Sequence, residues 1–298
     1  MGKILRTRIA PTPSGYLHKG NLFSFLLTWL ITRKAGGEIL LRIDDLDRDR
    51  VRSSYIEDIF KSLDWLGIDY DLGPAGPEDF LRNYSQHKRM DLYEAHLNML
   101  IKQPQMTFNC TCSRSQINAL STNGNYPGTC LTKGLPPEQA ALRIVTPEAT
   151  TTSFQDGILG KVELALNRDI PHFIIRKKDH HPSYQLASLV DDIHFGINAV
   201  VRGADLISST TAQIFLAQSL EQPGFSSANF YHHPLLEKNQ MKISKSQGHG
   251  GIERNLINRN SLLREFSEWI GIEPVNSINE LLEGFDMGQL KDVGRSTD

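Results

Sequence analysis

The stretch from Arg8 to Asn21 constrains the fold more than any other part of the chain. An apolar run from Ile4 to Ala10 leads into it, and two prolines and two glycines make it irregular. Apolar residues then recur at the spacing of an amphipathic helix: Leu22, Phe25, Leu26, Trp29 and Leu30. The pattern predicts a strand, a loop and a helix that begins at Gly20 and Asn21, with His18 one turn earlier.

The predicted start of this helix is a candidate phosphate site. The first N–H groups of a helix lack partners and carry a partial positive charge, which suits a phosphate group. The alternative is an ordinary turn between a strand and a helix, as found in any α/β protein. The spacing alone leaves both interpretations open.

A second apolar run, residues 38–43, predicts a buried parallel strand and completes a βαβ unit. Ligands of such sheets bind beyond the carboxyl ends of the strands, so Arg8 and Asp44 should face one crevice. Asp44, Asp45 and Asp47 resemble a metal cluster. The interleaved arginines favour local ion pairs instead.

Length and composition indicate a water-soluble globular protein. The chain has 298 residues, enough for one large or two ordinary domains, and is 39% hydrophobic and 22% charged. No run approaches the roughly 18 apolar residues that span a bilayer, and no signal-peptide pattern is present, so no membrane contact is expected. A net charge of −2 neither supports nor excludes a nucleic-acid partner.

All three cysteines lie in one short segment, at Cys110, Cys112 and Cys130. An odd, clustered set without an export signal argues against a disulfide scaffold and for the cytoplasm. Three thiolates can surround a tetrahedral zinc ion if a fourth ligand is available, and Tyr126, Asn109 or a water are candidates. Three free thiols in a loop are the alternative.

The rest of the chain alternates between helical and extended patterns. Helices are predicted at 53–66, 86–102, 183–193, 208–220, 262–270 and 277–285, and strands at 141–145, 160–166, 173–176 and 199–201. Ser208, Ser209 and Thr210 are expected to cap the helix that follows them. Arg202 ends a strand, as Arg8 does, and should face the same crevice. The segment from Lys242 to Ser246 places two lysines and two serines in a glycine-rich loop that can close over a polyphosphate.

Two of these segments together resemble a known family. The segment His18-Lys19-Gly20-Asn21 resembles the first signature of class I aminoacyl-tRNA synthetases, and residues 242–246 resemble their second, lysine-rich signature. Residues 8–15 and 41–47 look like the glutamyl branch. The resemblance runs from about residue 3 to residue 246.

Within this branch the chain resembles a shorter group, the glutamyl-queuosine tRNA(Asp) synthetases. The tail after Ser246 is short for the helical anticodon-binding domain of glutamyl-tRNA synthetases. The group carries a Cys-x-Cys…Tyr-x-x-x-Cys zinc site and a Val-Arg-Gly-Ala-Asp-Leu segment, and residues 110–130 and 201–206 match these. The resemblance therefore implies one structural zinc held by Cys110, Cys112, Tyr126 and Cys130.

The resemblance also implies an α/β fold with four parts. A Rossmann-type catalytic domain would occupy 1–100 and 184–250, with an inserted zinc-binding α+β subdomain at 101–183 that contacts tRNA. A short helical segment would follow at 251–298.

The same resemblance assigns roles to single residues. The glutamate site would contain Arg8, Ala10, Thr12, Asp44, Tyr184 and Arg202. The ATP site would contain His18, Gly20, Asn21 and Lys245. The catalytic residues would be His18, Asn21, Lys242 and Lys245, the two lysines stabilising the pentacoordinate phosphate. Two positions depart from the family, which usually has glutamate in place of Asp44 and serine in place of Thr12.

The implied reaction is ATP-dependent activation of glutamate, with Mg²⁺ on ATP, and transfer to a tRNA nucleoside. The resemblance implies queuosine of tRNA(Asp) as the acceptor and a monomer as the working form. A minimal glutamyl-tRNA synthetase that charges a 3′ end and a non-catalytic tRNA-binding paralogue are the alternatives. The cytoplasm is the expected location.

Overall fold

Nine strands occur in the part of the chain that the computed structural model describes, residues 4–121, 124–148, 150–236 and 258–294. They are Arg6–Ile9 (β1), Glu38–Leu41 (β2), Thr107–Cys110 (β3), Ala141–Ile144 (β4), Thr151–Asp156 (β5), Gly160–Ala165 (β6), Ile174–Arg176 (β7), Ala199–Gly203 (β8) and Asn229–His233 (β9). The strands predicted from the sequence at 4–10, 38–43, 141–145, 160–166, 173–176 and 199–201 are all confirmed, with ends that differ by a few residues.

The same ranges contain eleven α-helices, several of them single turns. They are Lys19–Lys34 (α1), Ser53–Leu66 (α2), Pro77–Asp79 (α3), Met90–Ile101 (α4), Arg114–Leu120 (α5), Leu166–Asp169 (α6), Tyr184–His194 (α7), Ile207–Ser219 (α8), Pro223–Ser226 (α9), Arg259–Trp269 (α10) and Ile278–Gly284 (α11). The predicted helix at 86–102 begins as a 3₁₀ turn, Gln86–Arg89, before α4. The chain is therefore a mixed α/β protein.

Five strands lie side by side in the order β2, β1, β8, β9 and β5. Strands β1 and β2 pair in parallel, which confirms the predicted βαβ unit. The Asn198 N–H donates to the Arg6 carbonyl oxygen at 3.0 Å, so β8 lies beside β1. Strands β8 and β9 are parallel over their whole length, and β5 joins β9 through the pair Asp156 and Phe230. The carboxyl ends of β1, β8 and β9 thus point the same way.

Helix α1 is buried on nearly every side. Ten of its residues between Leu22 and Thr32 are buried, which is a wider surface than the apolar stripe predicted from the sequence. Helix α10 provides part of the cover, since the Phe23 ring packs edge-to-face on Phe266 with centroids 5.3 Å apart. The predicted C-terminal helices therefore pack against α1 and hold it in place.

The segment predicted as an inserted subdomain is divided between two sheets. Strands β3, β4 and β7 form one antiparallel sheet, while β5 and β6 form a hairpin that joins β9. The limits 101–183 remain a prediction. The hairpin nevertheless ties this segment directly to the sheet that carries β8.

The predicted capping role of Ser208, Ser209 and Thr210 is wrong. Helix α8 already begins at Ile207, because a 3₁₀ turn at Ala204–Leu206 leads directly into it. The Thr210 hydroxyl lies 3.2 Å from the Leu206 carbonyl oxygen, one turn back along the helix. Its oxygen also lies within hydrogen-bond distance of two groups outside the helix, Arg202 Nη2 and His232 Nε2, which the sequence did not predict.

Candidate active site

A cavity of about 510 Å³ opens at the carboxyl ends of β1 and β8. Its walls are formed by the loop after β1, the first turns of α1, the end of β8 and the segment after β9. Eight predicted site residues line it: Arg8, Ala10, Thr12, His18, Gly20, Asn21, Tyr184 and Arg202. Residues widely separated in the sequence therefore meet in one crevice, as parallel strand ends predict.

The end of the cavity at α1 is formed by His18 and the first turn of that helix. His18 is the residue just before the helix, rather than one turn earlier as predicted, and its N–H donates to the Asn21 side-chain oxygen at 3.0 Å. A Cβ at Gly20 would lie 3.1 Å from the His18 ring, so glycine lets the ring approach the helix closely. Partial burial lowers the pKa of His18, so the ring is mainly neutral at pH 7.

Arg202 is a buried cation in the wall of the same cavity. It is 4% exposed, and its Nη2 donates to Thr210 Oγ1 at 2.5 Å and to Gln213 Oε1 at 2.8 Å. Within the described residues no carboxylate forms an ion pair with it, and its Nε has no hydrogen-bond partner. Burial lowers the pKa of Arg202, and the neighbouring Arg8 cation lowers it further. Such a group favours an anionic ligand.

Arg8 is equally buried but already has an anionic partner. Its Nε donates to Asp192 Oδ1 at 3.2 Å and its Nη1 to the Val201 carbonyl oxygen at 3.2 Å. The two arginines therefore differ in electrostatic state although both line the cavity. Arg202 carries the positive charge that is not balanced by direct contact.

Asp44 lies behind the cavity rather than among its described lining residues. Its backbone N–H donates to the Pro11 carbonyl oxygen at 2.9 Å, which holds it against the loop after β1. Both carboxylate oxygens accept hydrogen bonds from Arg42, at 2.7 and 3.1 Å. Burial raises the pKa of Asp44, while Arg42 opposes the shift. The predicted ion pairs are confirmed for Asp44 with Arg42 and for Asp47 with Arg50, whereas Asp45 accepts from the Ser85 hydroxyl and the Gln86 N–H instead.

Two acidic residues on α7 complete this charged layer. Asp192 accepts from Arg42 at 2.5 Å as well as from Arg8. All three side chains are less than 5% exposed. Asp191 accepts from Arg89 Nε at 2.7 Å and from the Tyr93 hydroxyl at 2.8 Å. Neither Arg42 nor Asp192 was predicted to belong to the site. The usable signal was a pair of acidic residues inside an apolar helix pattern, since such residues are buried only with partners.

The three cysteines come together as predicted. Their sulfurs lie within 4.8 Å of one another, with Cys112 Sγ and Cys130 Sγ 3.5 Å apart. The buried Tyr126 hydroxyl accepts from the Cys130 N–H at 2.8 Å, so it lies beside the cluster. Burial opposes ionisation of Cys110, but hydrogen bonds from Tyr126 and Arg143 lower its pKa to about 7. Three sulfurs at this spacing, with a phenol beside them, fit the tetrahedral coordination of zinc.

The second signature of the family, the lysine-rich residues 242–246, lies in a part of the chain that the structure does not describe. Lys242 and Lys245 lie outside the described residues. Their proximity to the cavity remains a prediction.

The sequence matches the family model for class I tRNA synthetases of the E and Q type, catalytic domain, over residues 4–268. The chain belongs to this family. None of the described helices combines the length and the apolar composition that a membrane-spanning segment requires.

Relatives of the chain carry two different names, glutamate–tRNA ligase and glutamyl-Q tRNA(Asp) synthetase. A glutamate–tRNA ligase of Desulfosudis oleivorans is 36% identical over 255 residues, which cover 83% of this chain and 52% of the relative. A glutamyl-Q tRNA(Asp) synthetase of Nitratidesulfovibrio vulgaris is 37% identical over 250 residues, 78% of this chain and 75% of the relative. The chain thus spans about half the length of the first relative and three quarters of the second.

A solved structure agrees with the fold. The crystal structure of glutamate-tRNA synthetase from Elizabethkingia anophelis superposes with a TM-score of 0.79 at 21% identity, covering 99% of this chain and 68% of that one. The likeness shows a class I synthetase fold with mixed α/β content.

The layer around Asp192 leads to a stability prediction. Changing Asp192→Asn keeps the shape but leaves Arg8 and Arg42 without their shared carboxylate. Removing one partner of a buried ion pair is strongly destabilising, so we expect the free energy of unfolding, measured by urea denaturation, to fall by about 3–5 kcal/mol. The matched change Asp179→Asn, at an exposed ion pair with Lys177, should cost less than about 1 kcal/mol. Equal losses in the two variants would contradict the importance of the buried layer.

Proposed function

We propose that this chain activates glutamate with ATP and transfers the glutamyl group to a nucleoside of tRNA, namely queuosine of tRNA(Asp). The observation that carries the substrate assignment is Arg202, a buried guanidinium without an anionic partner among the described residues, in a cavity that ends at the start of α1. An amino acid with a side-chain carboxylate supplies the missing charge, and the helix start supplies N–H groups for a phosphate.

In the proposed complex the glutamate side chain points toward Arg8 and Arg202. Guanidinium groups bind carboxylates through two parallel hydrogen bonds, which fixes both charge and orientation. Ala10, Thr12 and Tyr184 line the same cavity. Asp44 is the proposed partner of the substrate ammonium group. Because its carboxylate is shared with Arg42 and is one methylene shorter than the family's glutamate, we expect a bridging water in this contact.

In the proposed activation step a substrate α-carboxylate oxygen attacks the α-phosphorus of ATP. The bond from that phosphorus to the bridging oxygen breaks, and pyrophosphate leaves. His18, Gly20 and Asn21 are proposed to hold the phosphates at the start of α1. Lys242 and Lys245 are proposed to stabilise the pentacoordinate phosphate, with Mg²⁺ on ATP. Chemistry of this kind depends mainly on positioning and charge stabilisation.

Zinc is proposed as a structural ion held by Cys110, Cys112, Tyr126 and Cys130. Three thiolates and a phenolate would fill a tetrahedral shell and leave no open position for catalysis. Its proposed task is to hold the segment between β3 and β4, which is part of the region expected to contact tRNA. A Rossmann-type organisation in two halves, a monomeric state and a cytoplasmic location complete the proposal.

Amino-acid activation without tRNA is the first test. ATP–pyrophosphate exchange with a panel of amino acids should depend on glutamate, and Arg202→Gln should lower kcat/KM for glutamate on the order of a hundredfold, because the buried carboxylate contact is lost. The matched change Arg50→Gln, on the exposed surface, should leave exchange unchanged. A wild-type chain that binds tRNA but exchanges with no amino acid would instead identify a non-catalytic paralogue.

Metal content is the second test. Elemental analysis of the purified chain should find about one zinc per chain, because the donor set suits a single tetrahedral ion. Cys112→Ser should remove most of it, and Tyr126→Phe should weaken retention during titration with a chelator. Tyr55→Phe, on α2, is the matched control and should retain zinc like the wild type. Equal retention by Tyr126→Phe and wild type would exclude the tyrosine as a ligand.

The position of the attached glutamate is the third test, and it separates two specific candidates. The 37% identical relative is named for glutamyl-Q and tRNA(Asp), whereas the 36% identical relative is named a glutamate–tRNA ligase. We expect radioactive glutamate to appear on the queuosine-bearing RNase fragment of tRNA(Asp) and to be blocked by prior periodate oxidation of the queuosine diol. The control is tRNA(Asp) without queuosine, which should stay unlabelled. Label on the 3′-terminal fragment would favour a minimal glutamyl-tRNA synthetase.

A further inference from the structure

Arg202 is held from behind by a buried row of polar side chains that the proposed reaction does not use. We propose that Asp156, His232 and Thr210 position the Arg202 guanidinium to receive the substrate carboxylate. The inference rests on the proposed function, since it assigns a task to residues that lie behind the glutamate site.

The row is continuous in hydrogen bonds. Arg202 Nη2 lies 2.5 Å from Thr210 Oγ1, and the same oxygen lies 2.6 Å from His232 Nε2. His232 Nδ1 lies 2.6 Å from Asp156 Oδ2. His232 and Thr210 are fully buried, and Asp156 is 2% exposed. The geometry follows from the sheet, because Arg202 and His232 are register partners on the parallel strands β8 and β9.

The directions of the hydrogen bonds are fixed by the chemistry of the groups. A guanidinium can only donate, so Thr210 Oγ1 accepts from Arg202. A carboxylate can only accept, so the neutral His232 ring donates from Nδ1 to Asp156 and leaves Nε2 as an acceptor. The single Thr210 hydroxyl proton then completes the row by pointing to Nε2 at 2.6 Å rather than to the more distant Leu206 carbonyl oxygen at 3.2 Å. Burial lowers the pKa of His232, which agrees with a neutral ring at pH 7.

Asp156 is a fixed anchor for this row. Its carboxylate also accepts backbone N–H groups from Ile158, Leu159 and His232, at 2.9 to 3.2 Å. Burial raises the pKa of Asp156. These hydrogen bonds and the one from His232 Nδ1 outweigh that effect and hold the pKa below its usual range. A Cβ at the next residue, Gly157, would lie 2.3 Å from the Tyr231 ring, so glycine is required for this close approach of β5 to β9. The β5–β6 hairpin thereby reaches the glutamate site.

The row orients Arg202 without neutralising it. Thr210 and the neutral His232 ring stand between the guanidinium and the Asp156 carboxylate, so no direct ion pair forms. Gln213, also neutral, fixes Nη2 from a second side at 2.8 Å. Arg8, by contrast, contacts Asp192 directly. An oriented cation that still lacks a direct counter-ion binds a carboxylate without first breaking another ion pair.

The test separates positioning from general stability through the hydroxyl of Thr210. Thr210→Val keeps size and burial but removes the acceptor for Arg202, so we expect KM for glutamate in ATP–pyrophosphate exchange to rise on the order of tenfold or more while KM for ATP stays unchanged. Thr210→Ser keeps the hydroxyl and should restore most of the affinity. Thr211→Val is the matched control, because Thr211 is equally buried on α8 and its hydroxyl is satisfied by the Ile207 carbonyl oxygen.

Failure of the proposed function and failure of the positioning proposal give different results in this experiment. If the wild-type chain shows no glutamate-dependent exchange, the proposed function fails. If the wild type is active and Thr210→Val has the same KM for glutamate as Thr211→Val, the positioning proposal alone is overturned.

A measurement on the wild type covers the case in which Thr210→Val does not fold. Nitrogen-15 NMR of the His232 ring should find the neutral form protonated at Nδ1 at pH 7. Asp156→Asn should allow the opposite form, because an amide can also donate to Nδ1, and should raise KM for glutamate. A wild-type ring protonated at Nε2 would reverse the row and overturn the proposal.

Discussion

Two arginines and two aspartates buried between the strands and α7 hold the site together. Arg8 at the end of β1 and Arg42 just after β2 share the Asp192 carboxylate, and Arg42 also binds Asp44. Removing four charges from water is costly, and the cost is offset only when each charge meets its partner at hydrogen-bond distance. The layer therefore tolerates little movement, which makes the ends of β1 and β2 and the face of α7 a rigid base for the cavity.

The base also explains why the cavity has an uneven electrostatic character. Charges within the layer balance one another, so the Asp192 carboxylate offsets most of the positive charge that Arg8 presents to the cavity. Arg202 stands outside the layer, oriented by neutral groups and without a direct counter-ion among the described residues. The start of α1 adds a partial positive charge at the other end of the same cavity. A ligand with anionic groups at both ends, such as an acidic amino acid joined to a phosphate, matches this distribution.

Much of the fold could be predicted because its signals are local. The apolar run before Arg8, the period of α1 and the glycines that follow it specify a βαβ unit, and strand ends in such a unit place Arg8 and Arg202 at one edge. Cysteine spacing likewise predicted the cluster. Non-local details were not predicted. The buried Asp44 carboxylate pairs with the nearby Arg42 cation rather than facing the cavity. Thr210 lies inside α8 rather than at its cap, because the helix begins three residues earlier, at Ile207.

The sequence by itself determined the class of fold, the residues that meet at the strand ends and the family to which the chain belongs. Motif spacing and apolar period are sufficient for these, because they act over a few turns or one strand. Only the tertiary structure decided which arginine has an anionic partner and which does not. That difference depends on groups brought together from β5, α7, α8 and β9, and the protonation and pairing of a buried charge are set by its neighbours in space rather than by those in the chain.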